Sequence, residues 1–297
     1  MSILADRETG VLIQGITGRE AATFTLESLR YGTRIVAGVT PGKGGQQVHG
    51  VPVFDTVAAA LRGRPCTATI ISVPAPFVRD AAWEALASGL RLLVIVTERI
   101  PRGDVAAILE RAREQGARVI GPNSLGIISP GQARVGMCGG AVEAIRKAYT
   151  VGPVGVMSRS GGMMTEISSL LTQAGIGQST CVSVGGDPLV GSTFLDLLPL
   201  YEADPATKAL VLFCEPGGSM EETLAQALKE RHSRLHVVAF VAGHFTDRNQ
   251  GVRFGHAGAI VEGTQGSPAG KVAALIGAGV VVAEKLSQIP HLLRMGL

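Results

Sequence analysis

Short apolar runs alternate with segments of helical periodicity along the chain. In the first half, strand candidates lie near residues 11–15, 34–39, 68–73, 92–96 and 117–121. In the second half, they lie near residues 153–157, 179–184, 208–214, 236–241 and 257–261. The stretches between them have helical spacing, as in residues 104–115. Since helices that cross between parallel strands produce this alternation, the pattern predicts an α/β fold built on parallel sheets.

The two series of strands indicate two domains. The length of 297 residues also exceeds the usual ~100–200 residues of one domain. A less regular, glycine-containing stretch separates the two series. We therefore predict doubly wound α/β domains over residues 1–124 and 151–297, joined by a connection over residues 125–150. In such sheets ligands gather at the carboxyl ends of the strands, so chemistry is expected in the loops that follow them.

Composition and charge exclude several classes of protein. Hydrophobic residues make up 46% of the chain and charged residues 17%, which is typical of packed domains. The net charge of +3 is too small and scattered to indicate nucleic-acid binding. No apolar run approaches the ~18 residues of a membrane span, and the N-terminus lacks a signal-peptide core, so we expect a cytoplasmic protein. The four cysteines are widely spaced and are expected to be reduced and mostly buried.

The first candidate site is the loop after the first predicted strand. Residues 14–19 read Gln-Gly-Ile-Thr-Gly-Arg and open a helix. The unpaired N–H groups and the dipole of a helix N-terminus attract phosphate, and glycine allows a close approach. A Gly-x-x-Gly turn by itself is a weak signal, because a tight turn that binds nothing has the same sequence.

Two familiar nucleotide sites do not fit this domain. A dinucleotide site expects an acidic residue ~20 positions after its glycines, but the second strand runs into Thr40 and Pro41 without a carboxylate. A Walker loop is also disfavoured, since Gly38 is one residue too close to Lys43 and Gly44 replaces the metal-binding Ser or Thr. The loop at residues 14–19 is therefore interpreted as a phosphate-binding loop that is neither a dinucleotide site nor a Walker loop.

Three loop motifs in this order carry a resemblance to a known family. Gly-x-Thr-Gly is followed by Val-Thr-Pro-Gly-Lys-Gly-Gly at residues 39–45 and by Val-Pro-Ala-Pro at residues 73–76. Together they resemble the CoA-binding, Rossmann-like domain of succinyl-CoA synthetase α subunits. The resemblance implies phosphate contacts from Thr17, Gly18 and Arg19, and a cationic contact from Lys43. It also implies that the adenosine and pantetheine parts of CoA would lie along Val73, Pro74, Ala75 and Pro76.

Two further segments match the family with departures. Residues 97–101 read Thr-Glu-Arg-Ile-Pro, where the family usually has glycine in place of Arg99. Residues 120–125 end in Asn-Ser-Leu, where the family has Asn-Cys-Pro. By the resemblance, Thr97, Glu98 and Asn123 would contact CoA, and no cysteine is needed at position 124. A shorter match, Gly-Gly-Asp-Pro at residues 185–188, would have a supporting role.

The most specific motif is Gly-His-Ala-Gly-Ala-Ile at residues 255–260. Imidazole is a capable nucleophile near pH 7, and a carboxylate can fix its tautomer. A lone histidine in a glycine-rich loop would more often be structural, but this hexapeptide resembles the family's phosphohistidine loop. The resemblance implies that His256 carries a phosphoryl group.

Glu215 is the candidate carboxylate beside His256. It follows the strand over residues 209–214 in Cys-Glu-Pro-Gly-Gly, which resembles the family's Gly-Glu-Ile-Gly-Gly. By the resemblance, this glutamate holds the histidine. Pro216 departs from the pattern, lacks an N–H and restricts Glu215 to extended geometry.

Residues 158–162, Ser-Arg-Ser-Gly-Gly, follow another strand and open a helix. A phosphate docked there would meet backbone donors and the positive end of the dipole, or Ser160 could simply cap the helix. In the family this helix receives the phosphoryl group, so the resemblance assigns phosphate or substrate binding to Ser158, Ser160, Gly161 and Gly162. It also implies a flavodoxin-like second domain.

The resemblance covers nearly the whole chain and implies an acid–CoA ligase, most simply one that uses succinate. Acid, CoA and ATP or GTP would react through phosphohistidine and an acyl phosphate. Nucleotide and Mg²⁺ would be bound mainly by an ATP-grasp β subunit, in a heterodimer or heterotetramer. The run Ser-Arg-Ser-Gly-Gly-Met resembles ATP-citrate lyase and citryl-CoA synthetase instead, which leaves citrate or malate open as the acid. A non-catalytic CoA-binding module and an NAD-dependent oxidoreductase are the rival hypotheses.

Overall fold

The computed structural model describes residues 2–243 and 266–297. These residues form two seven-stranded sheets with interleaved helices, one in each half of the chain. The predicted α/β fold is confirmed. All but one of the predicted strands have counterparts in the structure, and the remaining one, residues 257–261, lies outside the described residues.

The first half carries seven strands and four helices. In chain order they are β1 Val11–Gln14, α1 Arg19–Tyr31, β2 Ile35–Val39, β3 Gln47–Val48, β4 Val51–Phe54, α2 Val57–Leu61, β5 Ala68–Ile71, α3 Val78–Ala87, β6 Leu92–Ile95, α4 Arg102–Glu114 and β7 Arg118–Ile120. A 3₁₀ turn at Ala75–Phe77 precedes α3. The sheet order is β3-β4-β2-β1-β5-β6-β7, and all neighbours except β3 and β4 pair in parallel.

The strand order of this sheet reverses at β1. Successive strands run outwards from β1 through β2 to β4 on one side, and from β5 to β7 on the other. The crossover helices therefore lie on opposite faces of the sheet on the two sides of β1. This leaves a crevice beyond the carboxyl ends of β1, β2 and β5, where open α/β sheets bind their ligands.

The second half begins within the predicted connection. Its elements are β8 Gly126–Ser129, β9 Ala133–Gly136, α5 Val142–Ala148, β10 Val151–Ser158, α6 Gly161–Gln173, β11 Gln178–Ser183, α7 Phe194–Ala203, β12 Ala209–Cys214, α8 Met220–Glu230, β13 His236–Val241, α9 Pro268–Ile276, β14 Val281–Ala283 and α10 Ile289–Arg294. The order is β14-β13-β12-β10-β11-β8-β9. The hairpin β8–β9 joins antiparallel to β11, so much of residues 125–150 belongs to this sheet.

The parallel part of the second sheet reverses at β10, which lies between β11 and β12. Counted from β10, the five parallel strands have the order 2-1-3-4-5, which is the flavodoxin-like arrangement. The crevice of this sheet lies at the carboxyl ends of β10 and β12. Ser158 and Glu215, predicted as site residues, are located at these two strand ends.

Buried side chains cover both faces of each sheet. In β1, Leu12 packs into one apolar cluster, while Val11 and Ile13 pack into another on the opposite face. The second cluster also contains Met157 and Leu212 of the second sheet, so the two halves share one core. Burying each large aliphatic side chain contributes about 1.5–3 kcal/mol, and this shared core holds the two crevices in one body.

In the described parts of the chain, each helix is too short or too polar to cross a membrane.

Candidate active site

A cavity of about 610 Å³ occupies the crevice of the first sheet. Four of the residues predicted to bind CoA line it, namely Thr17, Gly18, Val73 and Pro74. Its other lining residues are Gln14, Gly15, Val39, Thr40, Pro41, Ser72, Phe77, Asp80, Ala81 and Glu84. A site of this size at a strand-order reversal is the expected place for a ligand as large as a nucleotide.

Gly15 brings the loops of this cavity together. Its φ is +83°, and a Cβ added to it would lie 2.3 Å from the carbonyl oxygen of Ser72. Its N–H donates to the carbonyl of Val39 at 2.7 Å. Only glycine allows this approach of the β1, β2 and β5 ends. Thr17 closes the same corner by donating from Oγ1 to Oγ1 of Thr40 at 3.2 Å.

The start of α1 is open to an anion. Gly18 is the N-cap residue, and no side chain among the described residues caps the first turn. Arg19 and Lys43 are exposed and do not line the cavity itself. Their predicted contact with CoA phosphate therefore stays a prediction, and it would depend on the longer range of their charge.

Several lining residues were not predicted. Thr40, Pro41 and Ser72 lie in loops that the sequence analysis did identify as neighbours of the site. Phe77 is the N-cap residue of α3, and Asp80 and Glu84 lie within the helix, where no local motif distinguishes them from an ordinary helix face. Phe77 leaves 61% of its surface exposed, which is unusual for a phenylalanine.

The other predicted CoA residues lie beside the cavity or between the two sheets. Thr97 donates to the carbonyl of Val73 at 2.7 Å, which fixes the β5 loop. Glu98 is paired with Arg99 at 3.4 Å on the surface. Asn123, with a φ of +53°, donates to Asp187 of the second half at 3.0 Å. Asn123 therefore marks the contact between the two sheets.

The loop after β10 forms the second part of the site. Ser160 caps α6 by accepting a hydrogen bond from the N–H of Met163 at 3.4 Å, so its capping role is confirmed. The hydroxyl of Ser158 accepts from the N–H of Ser160 at 3.1 Å. Gly161 packs against Leu125, because an added Cβ would lie 2.2 Å from Cγ of that residue. Gly162 is exposed, and of the described atoms only Oγ of Ser160, at 4.0 Å, would meet its Cβ.

Glu215 begins the turn that follows β12, at the other strand end of the same crevice. Pro216 comes next, and its ring packs against Gly243. Gly217 donates its N–H to the carbonyl of Gly266 at 2.8 Å. Gly243 and Gly266, the described residues that flank residues 244–265, therefore both contact the turn after Glu215. His256 belongs to this segment and lies outside the described residues.

The cysteines take no part in this chemistry. All four are free thiols, three of them buried, as the sequence analysis predicted. Burial raises the pKa of the Cys214 thiol, directly before Glu215, well above its ordinary value. Burial also raises the pKa of Cys66 to about 11. Both thiols are therefore protonated near neutral pH and poor nucleophiles.

Comparison with known proteins agrees with this division of the site. Residues 6–99 match the CoA binding domain model, and residues 157–281 match the CoA-ligase model. The ADP-forming succinate–CoA ligase subunit alpha 1 of Archaeoglobus fulgidus is 46% identical over 97% of this chain and 96% of its own length. The chain belongs to the succinate–CoA ligase alpha-subunit family.

Relatives within this family act on more than one acid. A subunit of an ADP-forming sulfoacetate–CoA ligase from an Acholeplasma species is 41% identical over 99% of this chain and 97% of its own length. The structure of ATP citrate lyase from Methanothrix soehngenii, in complex with citrate and coenzyme A, superimposes with a TM-score of 0.89 and 27% identity over 98% of this chain. The chain spans half the length of that lyase chain.

The two family models divide the chain as the two crevices do. The first model covers the loops after β1, β2 and β5. The second covers the loops after β10 and β12 and also residue 256. Within the family, then, the chain has a CoA-binding domain followed by a ligase domain, and the candidate site has one part in each.

Proposed function

We propose that this chain is the phosphohistidine-bearing α subunit of an acid–CoA ligase. One observation carries the proposal. Gly243 and Gly266, the described residues on either side of the segment that contains His256, both contact the turn after Glu215, in the same crevice as the start of α6. His256 is ten residues before Gly266, a span of up to about 35 Å when extended, which is sufficient for it to reach the carboxylate and the helix.

The proposed reaction has three steps. The imidazole of His256 attacks the terminal phosphorus of ATP or GTP, the nucleoside diphosphate leaves, and an N–P bond forms. A carboxylate oxygen of the acid attacks that phosphorus, which frees the imidazole and gives an acyl phosphate. The thiolate of CoA then attacks the acyl carbon, and phosphate leaves as acyl-CoA forms. The thiol proton passes to solvent or to the departing phosphate.

Each part of the chain has a defined task in these steps. The Glu215 carboxylate accepts a hydrogen bond from the second N–H of the imidazole and stabilises its cationic phosphorylated form. The first N–H groups of α6 and the hydroxyl of Ser160 receive the phosphoryl oxygens, where the helix dipole favours negative charge. In the first sheet, the N-terminus of α1 receives CoA phosphate, with Arg19 and Lys43 at the rim and Val73 to Pro76 along the pantetheine. Thr97, Glu98 and Asn123 continue the track towards the second crevice.

The nucleotide and Mg²⁺ are assigned mainly to an ATP-grasp β subunit. The sequence of the first half has neither a Walker loop nor a dinucleotide fingerprint. Related proteins are called subunits in their own names, which supports a heteromeric enzyme. We place this enzyme in the cytoplasm, where nucleotide, acid and CoA are available to it.

Succinate is our first candidate for the acid, because alpha subunits named for it are among the most similar relatives. The exposed, open position of Gly162 favours the admission of a larger acid such as citrate or malate. The sulfoacetate–CoA ligase relatives add a sulfonated acid of small size. These acids share an anionic group remote from the reacting carboxylate.

The test is phosphorylation of the chain together with its partner subunit and γ-labelled ATP. We expect an acid-labile label on His256, lost in His256→Ala and retained in the matched control His232→Ala, whose side chain is exposed on another loop. CoA binding, measured by calorimetry, should be unchanged in both variants. A panel of succinate, sulfoacetate, citrate and malate then identifies the acid by consumption of CoA thiol. Absence of label in the wild-type complex would refute the phosphohistidine mechanism.

A further inference from the structure

Two buried cations hold the turn that follows Glu215. The first is Lys271 of α9, whose side chain is completely buried. Its Nζ donates to the carbonyl of Gly218 at 3.0 Å and pairs with the carboxylates of Glu221 and of Glu222, the latter at 3.0 Å. An ammonium group has three N–H donors, and these three contacts use all of them.

The second cation is Arg159, which lies between Ser158 and Ser160 in the loop that opens α6. Only 4% of it is exposed. Its Nη1 donates to the carbonyl of Gly217 at 2.9 Å, and its backbone N–H donates to Phe213 at 3.2 Å. Arg159 thus connects the phosphate-receiving end of α6 directly to the turn after Glu215.

The same cluster contacts Gly266, the described residue that follows the segment containing His256. Glu222 accepts a hydrogen bond from the N–H of Gly266 at 3.0 Å, while the carbonyl of Gly266 accepts from Gly217. The two cations Arg159 and Lys271, and the carboxylates that pair with Lys271, therefore lie around one short turn. Their charges all act on the buried thiol of Cys214, whose pKa is raised first by burial and then by Glu221, and lowered by Lys271 and Arg159.

The turn itself has little rigidity of its own. Gly217 and Gly218 adopt φ values of +88° and +65°, and glycine has the widest conformational freedom of any residue. Burying ions costs several kcal/mol each, and an apolar cluster of the same volume would serve equally well as a scaffold. The cations instead fix the orientation of the turn, because each binds one carbonyl of the pair Gly217 and Gly218.

We propose that Arg159 and Lys271 are positioning residues that set the direction of the Glu215 carboxylate towards the phosphoryl site at α6. They act through the carbonyls of Gly217 and Gly218 and contact no reacting atom. This proposal rests on the proposed function, in which Glu215 holds the phosphorylated histidine. It also explains how the site tolerates Pro216, since hydrogen bonds beyond the proline hold the turn.

The experiment compares Arg159→Met with the matched control Arg234→Met in the complex with the partner subunit. Arg234 precedes β13, at the amino ends of the strands of the same sheet. It donates to the carbonyls of Glu202, Thr207, Tyr201 and Asp204 at 2.6–3.0 Å. Both variants remove an arginine that is bonded to backbone carbonyls. We expect Arg159→Met to slow labelling of His256 at least tenfold with unchanged CoA affinity, and Arg234→Met to lower thermal stability while labelling stays within twofold.

Two further variants separate positioning from folding. Arg159→Lys keeps a cationic hydrogen-bond donor and should recover part of the labelling rate. Lys271→Met alone would leave a buried carboxylate without its cation, so it is combined with Glu221→Leu. That double variant should fold, bind CoA normally and label slowly. Amide hydrogen exchange over residues 214–218 should rise in Arg159→Met and in the double variant, and stay unchanged in Arg234→Met.

The outcomes are distinct. An unlabelled wild-type complex refutes the proposed function and this inference with it. A labelled wild type with equally fast Arg159→Met and Lys271→Met/Glu221→Leu variants overturns the inference alone. The inference is also overturned if labelling of His256 slows in every variant, the Arg234→Met control included, in proportion to its loss of stability. The two cations would then be structural.

Discussion

The ring of Pro216 packs against Gly243, where a Cβ would lie only 2.4 Å from Cγ of the proline. The φ of Gly243 is +83°, so glycine is required there for its conformation as well as for its size. Pro216 departs from the family pattern and restricts Glu215 to extended geometry. The proline and the glycine fit together directly before the segment that contains His256.

Gly243→Ala should therefore disturb the site from a distance. The added methyl group meets the proline ring and the positive φ is strained, so we expect a loss of about 2–4 kcal/mol in the free energy of unfolding and slower labelling of His256. The double variant Gly243→Ala/Pro216→Ala removes the collision and should recover part of both. Denaturant titration and the labelling assay measure the two effects. No recovery in the double variant would mean that the contact with Pro216 is not the cause.

Gly15→Ala should abolish tight CoA binding. The new methyl group would meet the carbonyl of Ser72, and the β1 loop would have to move away from the β5 loop. We expect at least a tenfold loss of CoA affinity in calorimetry. Gly63→Ala is the matched control, since Gly63 has a φ of +71° and no described atom would lie within 4 Å of its Cβ. Equal affinities in the two variants would argue against a ligand role for this cavity.

Gly162→Thr tests the size of the acid site. Its side chain would project into open space, so stability should change by less than about 0.5 kcal/mol. The relative activity with citrate or malate should fall against that with succinate. Gly161→Ala, one residue away, should instead cost about 1–3 kcal/mol because its methyl group meets Leu125. Unchanged preference among acids in Gly162→Thr would remove position 162 from the acid site.

Glu27 should make stability depend on pH. Its carboxylate accepts a hydrogen bond from the N–H of Val142 at 2.6 Å, in place of a cap that Ala141 cannot provide for α5. This hydrogen bond, opposed by partial burial, lowers the pKa of Glu27. Because the folded pKa lies below the unfolded one, the contribution is present at neutral pH and is lost as pH falls from about 4.3 through the folded pKa.

Glu27→Gln should accordingly destabilise the protein by about 1 kcal/mol at pH 7 and by less at acidic pH. Denaturant titrations at several pH values measure this difference. Arg30 pairs with Glu27 at 3.3 Å and also with the exposed Glu143. Glu143→Gln is the control, since it removes only that exposed ion pair and should cost less than about 0.5 kcal/mol. A pH-independent loss in Glu27→Gln would show that the charge of the carboxylate is not involved.

The main strands could be predicted because they are buried on both faces. Each reads as a continuous apolar run bounded by glycine, proline or polar residues, and this signal is local. The hairpins β3–β4 and β8–β9 were not predicted, because they lack this local signal. Their strands have two to four residues, and each hairpin joins its sheet through one strand, β4 through β2 and β8 through β11. Residues 125–150 consequently looked like a connection.

The site residues divide in a similar way. Thr17, Gly18, Val73 and Pro74 lie in loops whose glycine and proline patterns are visible in the sequence, and they line the cavity. Phe77, Asp80 and Glu84 reach it only because α3 lies across the crevice. The sequence predicted no separate role for Arg159, which lies in the motif Ser-Arg-Ser-Gly-Gly, and none for Lys271. Their partners Gly217 and Gly218 are remote along the chain.

By itself, the sequence determined the α/β class, the loops that carry the chemistry and the family resemblance, because strand-forming runs and turn motifs are set by neighbouring residues. Only the tertiary structure decided the strand order that brings the ends of β10 and β12 into one crevice. It also decided the shared core of the two halves and the cations behind Glu215. These depend on packing between distant segments, in which burial and long-range hydrogen bonds outweigh local preference.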